Sequence, residues 1–274
     1  MGQSRFDFKP LLERFSFGFS DRVGVNFGFD LAKFDTKNLA KFDEFNLAFH
    51  VGDDYQKVLA NRKKLALALG LDLKNLIFMN QIHSDKICVV DEKFMAEFGA
   101  KFDKFFEFGE FKSENLQSEF VKIFPECDAL VTNLKGACLC VMVADCSPVL
   151  LLDEKSGAVG VAHAGRNGVM QKIVTKTAHK MSECYGTKIC DLSVIVGANI
   201  GGSCYEVGEM DLGEFNAFKR GDKFDMNLAL KAEFAELGIK KFTFSKFCTH
   251  CENSLYSYRR DGVTGRFCGF VVTV

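Results

Sequence analysis

A thiol and an imidazole meet in the middle of the chain if two apolar runs pair. Joining 149–153 (VLLLD) to 158–162 (AVGVA) across a turn at 154–157 sets Asp153 opposite Ala158, and therefore His163 opposite Pro148. Cys146 then lies beside His163, at the end where both runs stop. His163 is followed by Ala164-Gly165-Arg166-Asn167-Gly168 and a helix start, where small residues and free backbone N–H groups let a ligand approach. A soft thiolate with imidazoles suits zinc, and three protein ligands with an open position is the catalytic arrangement. His83, at the end of the buried run 76–79, is the third candidate ligand. The competing reading is a core cysteine beside a polar loop histidine.

Other chemistry-bearing residues stand apart from this trio. Val58, Arg62, Leu65 and Leu69 are spaced four, three and four, so Arg62 falls on the core-facing stripe of its helix. It is either an anion clamp, suited by its planar fork, or an arginine whose stem packs while its head reaches water. The glycine-rich loop 197–208 brings Cys204, Tyr205 and Glu206 together but matches no phosphate-binding fingerprint. It reads as a substrate-facing loop or a tight turn. Cys248-Thr249-His250-Cys251 is a single Cys-x-x-Cys with no second pair, so it does not define a four-cysteine zinc site. Tyr258-Arg259-Arg260-Asp261-Gly262 ends in a turn, and its adjacent arginines read as a solvated rim.

These residues need a scaffold, and the rest of the sequence supplies one. A helix is predicted from Asp53 or Asp54 to a stop at Gly70, then extended runs at 76–79 and 86–91. Residues 92–126, rich in Phe, Lys and Glu, read as helical excursions or an insertion. Strands are predicted at 129–132, 139–144, 149–152 and 158–162, a helix over 169–184, and a strand at 192–196. A helix over 225–237 and strands at 241–247 and 266–273 close the chain. No linker or repeat separates these pieces, so the expectation is one α+β domain with mixed sheets.

Composition narrows the function classes. The chain has 274 residues, with 35 Lys+Arg against 36 Asp+Glu and a formal charge of -1, which gives no basic field for a nucleic acid or an anionic membrane. The 47% hydrophobic and 26% charged fractions are those of an ordinary globule. The 30 Phe, with no Trp, fill core positions and point to no function. The N-terminal residues lack a signal-peptide pattern, and the apolar runs fall far short of the roughly 20 residues that span a bilayer. A cytoplasmic location is expected, with most of the 11 Cys reduced.

Several segments together resemble the YfiH-type family, also called the laccase-domain or multicopper polyphenol oxidase family. They are Phe19-Ser20-Asp21-Arg22, Asn46-Leu47, Val51-Gly52-Asp53-Asp54 with Asn61-Arg62, and Asn80-Gln81-Ile82-His83. Downstream follow 128–132 (DALVT), 144–151 (ADCSPVLL), His163-Ala164-Gly165, 202–207 (GSCYEV) and 257–262 (SYRRDG), in family order. The chain departs from the family at Arg166-Asn167, where Trp-Arg is usual, and at Ser84, where Gly is common.

The resemblance implies two packed mixed sheets flanked by helices in α/β/β/α layers. It implies zinc held by His83, Cys146 and His163, and a pocket using Arg62 and Asn46. It further implies a zinc-containing purine nucleoside phosphorylase acting on adenosine, inosine and methylthioadenosine, with accessory adenosine deamination. On that reading Arg62 and Arg22 hold phosphate, Asn46 and the Tyr205 loop contact nucleoside, and Asp145, Glu206 and Cys204 are candidates to protonate the leaving base. The alternatives are a peptidoglycan-editing hydrolase with Cys146 as nucleophile and His163 as base, and a copper-dependent polyphenol oxidase. Strict multicopper chemistry needs a trinuclear cluster besides a blue-copper centre, and the chain has only 5 His.

Overall fold

The computed structural model of the chain describes residues 11, 13–27, 45–108 and 116–274. It is a mixed α+β fold built on two large sheets. The first has five strands in the order β2 (Val25–Phe27), β1 (Phe15–Ser20), β13 (Phe267–Thr273), β6 (Cys138–Val143) and β3 (Leu76–Ile77). The second has six: β12 (Lys241–Phe244), β9 (Ser193–Val196), β7 (Ser147–Leu152), β8 (Val159–Ala164), β5 (Ala129–Thr132) and β4 (Ile87–Val89). β10 (Lys219–Arg220) and β11 (Lys223–Phe224) form a small separate ribbon.

Alternation along the strands of the second sheet divides the molecule into two cores. Leu130, Leu150, Leu152, Val159, Val161 and Ile195 join the core shared with the five-stranded sheet. Their neighbours Ala129, Val131, Val149, Leu151, Ala162, Val194 and Val196 turn the other way and bury the apolar faces of two helices, α5 (Ile173–Tyr185) and α6 (Met226–Glu236). The first core also takes Val58, Leu59, Leu65 and Ala66 of α1 (Tyr55–Ala68), which is capped by Asp54 accepting from the Lys57 N–H at 3.0 Å.

Within residues 92–126 the described part forms two helices, α2 (Glu92–Phe108) and α3 (Leu116–Val121), followed by a turn and an extended stretch at 122–126. Their Phe98, Phe102 and Phe120, together with Phe124, pack into the first core. The helix predicted over 169–184 is two, α4 (Arg166–Met170) and α5, broken where Lys172 takes a φ of 54°. Residues 258–261 are a short helix, α7 (Tyr258–Asp261), capped by the Ser257 side chain, which accepts from the Arg260 N–H, and the segment ends at Gly262 with a φ of 68°. β1 and β2 are strands the sequence pattern did not single out. Among the described residues no helix is long and apolar enough to cross a membrane.

Candidate metal centre and its pocket

The β7–β8 pairing is antiparallel with Pro148 opposite His163 and Val149 opposite Ala162, the register expected from the turn. β6 belongs to one sheet and β7 to the other. Ala144-Asp145-Cys146 is therefore the step from sheet to sheet, and it places Cys146 at the end of β8 that carries His163. His83 enters from the segment after β3. One ligand atom from each of His83, Cys146 and His163 lies within 4.8 Å of the others, and the two imidazoles meet edge to face at 5.0 Å. Gly165 keeps this space open: a Cβ there would lie 2.7 Å from Cys146 Sγ and 3.8 Å from His163 Nε2.

Asp128 organises the trio. Its Oδ1 stands 2.9 Å from His163 Nδ1 and also accepts the His83 N–H at 3.1 Å, while Oδ2 accepts the Ser84 N–H and hydroxyl at 2.6 and 2.8 Å. With Nδ1 so engaged, Nε2 is the nitrogen left for a ligand. Ser84 thus contributes its hydroxyl as well as its N–H to the same carboxylate. Burial would raise the Asp128 carboxyl, but the bonds from His163 and Ser84 prevail and hold it below the usual range. Two of the residues that carry the site occupy backbone conformations that favour glycine, His83 with φ 58° and Asp145 with φ 89°.

Without a metal the thiol and imidazole form an ion pair. Burial would push the Cys146 thiol up, yet His163 and then His83 bring it down to about 6. Burial would lower His163, and the Cys146 thiolate with Asp128 raises it to about 9. A soft sulfur and two imidazole nitrogens, with a carboxylate behind one of them, fit a divalent transition metal with room for a further ligand.

The trio opens on a cavity of about 310 Å³, within the range of small-molecule sites. Met142, Val143, Ile200 and Met226 give it apolar walls, Tyr205 and Tyr258 aromatic ones, and His50, Arg259 and Arg266 polar ones. His50 stays open to the cavity, yet the surrounding protein, then the positive charges of Arg266 and Arg62, push it down to about 4. It is neutral at physiological pH.

Of the other residues singled out from sequence, Asp145 and Tyr205 line this cavity, while Arg62, Arg22, Asn46 and Cys204 do not. Asp145 does not stand ready as an acid: Oδ1 accepts from the Thr249 hydroxyl at 2.6 Å and Oδ2 from the Arg259 N–H at 2.7 Å. The expected nucleoside contact at Asn46 has no capacity left to make. Its Nδ2 donates to Ala48 O and Asp53 Oδ2, and its Oδ1 accepts from the Ala48 and Arg266 N–H groups. Arg62 lies one layer behind the cavity, 3% exposed, its Nε donating to Leu47 O and its Nη2 touching Met142 Sδ at 3.7 Å. Its guanidinium sits 3.7 Å from the Phe78 ring centroid, and Nη1 has no partner. Burial lowers it to about 9, so it remains charged at neutral pH. Arg22 is buried against Tyr256, with Nη1 3.8 Å from Asp261.

Sequence reasoning gave no role to Gln81, Asp128, His50 or Arg266. Gln81 clamps the Met142 backbone through both ends of its amide, at 2.8 and 2.9 Å. Of the arginine pair read as a solvated rim, Arg259 is exposed and Arg260 half-buried. Arg259 Nη1 donates to Glu206 O at 2.8 Å, and Arg260 binds the carbonyls of Thr249, Glu252 and Leu255.

A two-sheet α+β fold with a His2Cys cluster at the floor of a small-molecule pocket defines a class of soft-metal-competent pocket proteins. Residues 33–274 match the family model described as multi-copper polyphenol oxidoreductase laccase, and the chain belongs to that family. It is 35% identical over 239 residues to a purine nucleoside phosphorylase of Corynebacterium glutamicum, covering 84% of this chain and 87% of that protein. It is 31% identical over 234 residues to an adenosine deaminase of an unknown prokaryotic organism, covering 80% and 82%. The solved structure of the Bacillus licheniformis hypothetical protein YfiH superposes with a TM-score of 0.74 at 25% identity, over 94% of this chain and 92% of that one.

Proposed function

We propose that the protein is a zinc-dependent purine nucleoside phosphorylase. It would cleave adenosine, inosine and methylthioadenosine with phosphate to free base and pentose 1-phosphate, and deaminate adenosine as an accessory reaction. The observation that carries the reading is the joining, in one cavity, of the His83, Cys146 and His163 donors with two arginines and two tyrosines. The relatives named purine nucleoside phosphorylase and adenosine deaminase support the reaction classes. Zinc held by the trio supplies Lewis acidity at the floor of the pocket.

The chain's own residues account for the rest. Arg266 and Arg259 provide positive charge for the phosphate anion, replacing Arg62 and Arg22 in the role expected from sequence. Arg62 supports the wall through Met142 and Leu47. Tyr205 and Tyr258 offer faces for a purine, and His50, kept neutral, can donate or accept a hydrogen bond without adding charge. The apolar walls reduce competition from water, which favours transfer of the pentose to phosphate over hydrolysis. Metal-replete protein incubated with adenosine and phosphate should yield adenine and ribose 1-phosphate. Absence of both products, with phosphate and zinc saturating, refutes the phosphorylase.

One observation favours a second reading. His163 stands between the Cys146 thiolate and Asp128 in the order nucleophile, base and orienting carboxylate, the arrangement of a cysteine hydrolase. Such an enzyme could edit peptidoglycan precursors. The His2Cys donor set also suits copper, the metal of a polyphenol oxidase. Metal analysis separates copper from zinc, and the state of Cys146 separates the hydrolase from the metal enzyme.

A further inference from the structure

A second group of soft ligands lies outside the cavity. The fold carries Cys204, in the glycine-rich loop, to the Cys-x-x-Cys segment 47 residues downstream, with Cys204 Sγ 3.5 Å from Cys251 Sγ. His250 joins them, one ligand atom from each lying within 4.8 Å of the others. Cys248, outside that group of three, lies in the same segment with its Sγ accepting the Gly201 N–H at 3.1 Å, and is the candidate fourth ligand. Sequence alone shows one Cys-x-x-Cys without a partner pair; the fold supplies the missing ligands.

The spacing fits a metal. Two thiolates each about 2.3 Å from a tetrahedral zinc stand roughly 3.8 Å apart, close to the 3.5 Å found between Cys204 and Cys251. A backbone N–H directed at a sulfur stabilises its thiolate, the form that binds metal. Three sulfurs and one imidazole make a closed Cys3His set with no position left for substrate, which is a structural arrangement.

We infer that Cys204, Cys248, His250 and Cys251 bind a second divalent metal, zinc by the softness of the set, and that it staples the pocket-lining loop 197–208 to the segment 248–251. Tyr205, next to Cys204, lines the cavity. Thr249, between Cys248 and His250, donates to Asp145. The metal thus fixes both loops against the first centre without entering it.

The test is metal content of the full chain, purified with zinc and freed of loose metal. Wild type should carry two zinc ions per chain, His163→Ala one, Cys251→Ser one, and the double variant none. Cys251 is exposed, so its replacement leaves the core intact. Cobalt loaded into Cys146→Ser should still give sulfur-to-cobalt charge-transfer absorption, because the remaining thiolates belong to the second set. Loss of one zinc in Cys251→Ser but none in His163→Ala would sustain this site and remove the first. Unchanged zinc in Cys251→Ser, no charge-transfer band in cobalt-loaded Cys146→Ser, or a Cys204–Cys251 disulfide in the zinc-replete protein would overturn it.

Discussion

His163 Nδ1 and Asp128 Oδ1 stand 2.9 Å apart with both side chains buried, and the same carboxylate gathers the backbone N–H groups of His83 and Ser84. Asp128 therefore sets the orientation of two candidate ligands at once. Asp128→Asn keeps the volume and loses the charge. Loss of a carboxylate behind a metal-bound histidine costs about 10–100-fold in metal affinity. Competition with a chromophoric chelator should read a weakening of that order; unchanged affinity would mean that Asp128 only ties the loop.

The ion pair predicts how metal binding depends on pH. Binding needs a thiolate at Cys146 and a neutral His163, whose values in the metal-free protein are about 6 and about 9. Between those values one proton must leave His163, so affinity should fall about tenfold per pH unit as pH drops from 9 to 6. Below 6 the thiol is protonated as well and the fall steepens. Calorimetry in buffers of different ionisation enthalpy should find about one proton released at pH 7.5. Release of none would contradict the ion pair.

The pocket arginines separate binding from support. If Arg266 holds phosphate through charge-assisted bonds worth about 1.5–3 kcal/mol, Arg266→Gln should raise the apparent KM for phosphate roughly 10–100-fold. Arg62→Met, which keeps a long apolar stem behind Met142, should move it much less. Steady-state kinetics on both variants decides: a larger effect at Arg62 would return the anion site to that residue.

Asn46→Ala would leave the buried N–H of Ala48 and that of Arg266 without their acceptor. At about 1–3 kcal/mol for each orphaned group, unfolding free energy should drop by at least about 2 kcal/mol. Denaturant unfolding checks this, and a change below 0.5 kcal/mol would show that water replaces the amide (roughly the scatter of neutral surface changes).

What the sequence disclosed follows from how local the determinants are. The Cys146–His163 contact was legible because a tight turn and a period-two pattern leave the β7–β8 hairpin one register. His83 was legible as the polar end of a buried run. Asp128 was not, since only folding carries the start of β5 to the His83 loop. Arg266 likewise reaches the pocket from the residue just before β13, far beyond Cys146 in sequence. The Asn46 and Arg62 assignments gave way for a related reason: residue type suggested binding, whereas hydrogen bonds made within the fold had already used or buried those groups. β1 escaped notice although Phe15, Phe17 and Phe19 alternate, because with 30 Phe in the chain the alternation stands out little.

The central claim is that Cys146 serves as a metal ligand in a nucleoside phosphorylase. A zinc-bound thiolate has its electron density committed to the metal and resists alkylation, whereas a free Cys–His pair reacts readily. Iodoacetamide labelling should be read at Cys146 by peptide mass, because 10 other cysteines contribute to a bulk count. The account predicts protection of Cys146 in zinc-loaded protein, labelling after chelation, and return of adenosine phosphorolysis when zinc is restored to unlabelled apoprotein. Rapid labelling of Cys146 in fully zinc-loaded protein, or turnover that survives complete chelation, would contradict it.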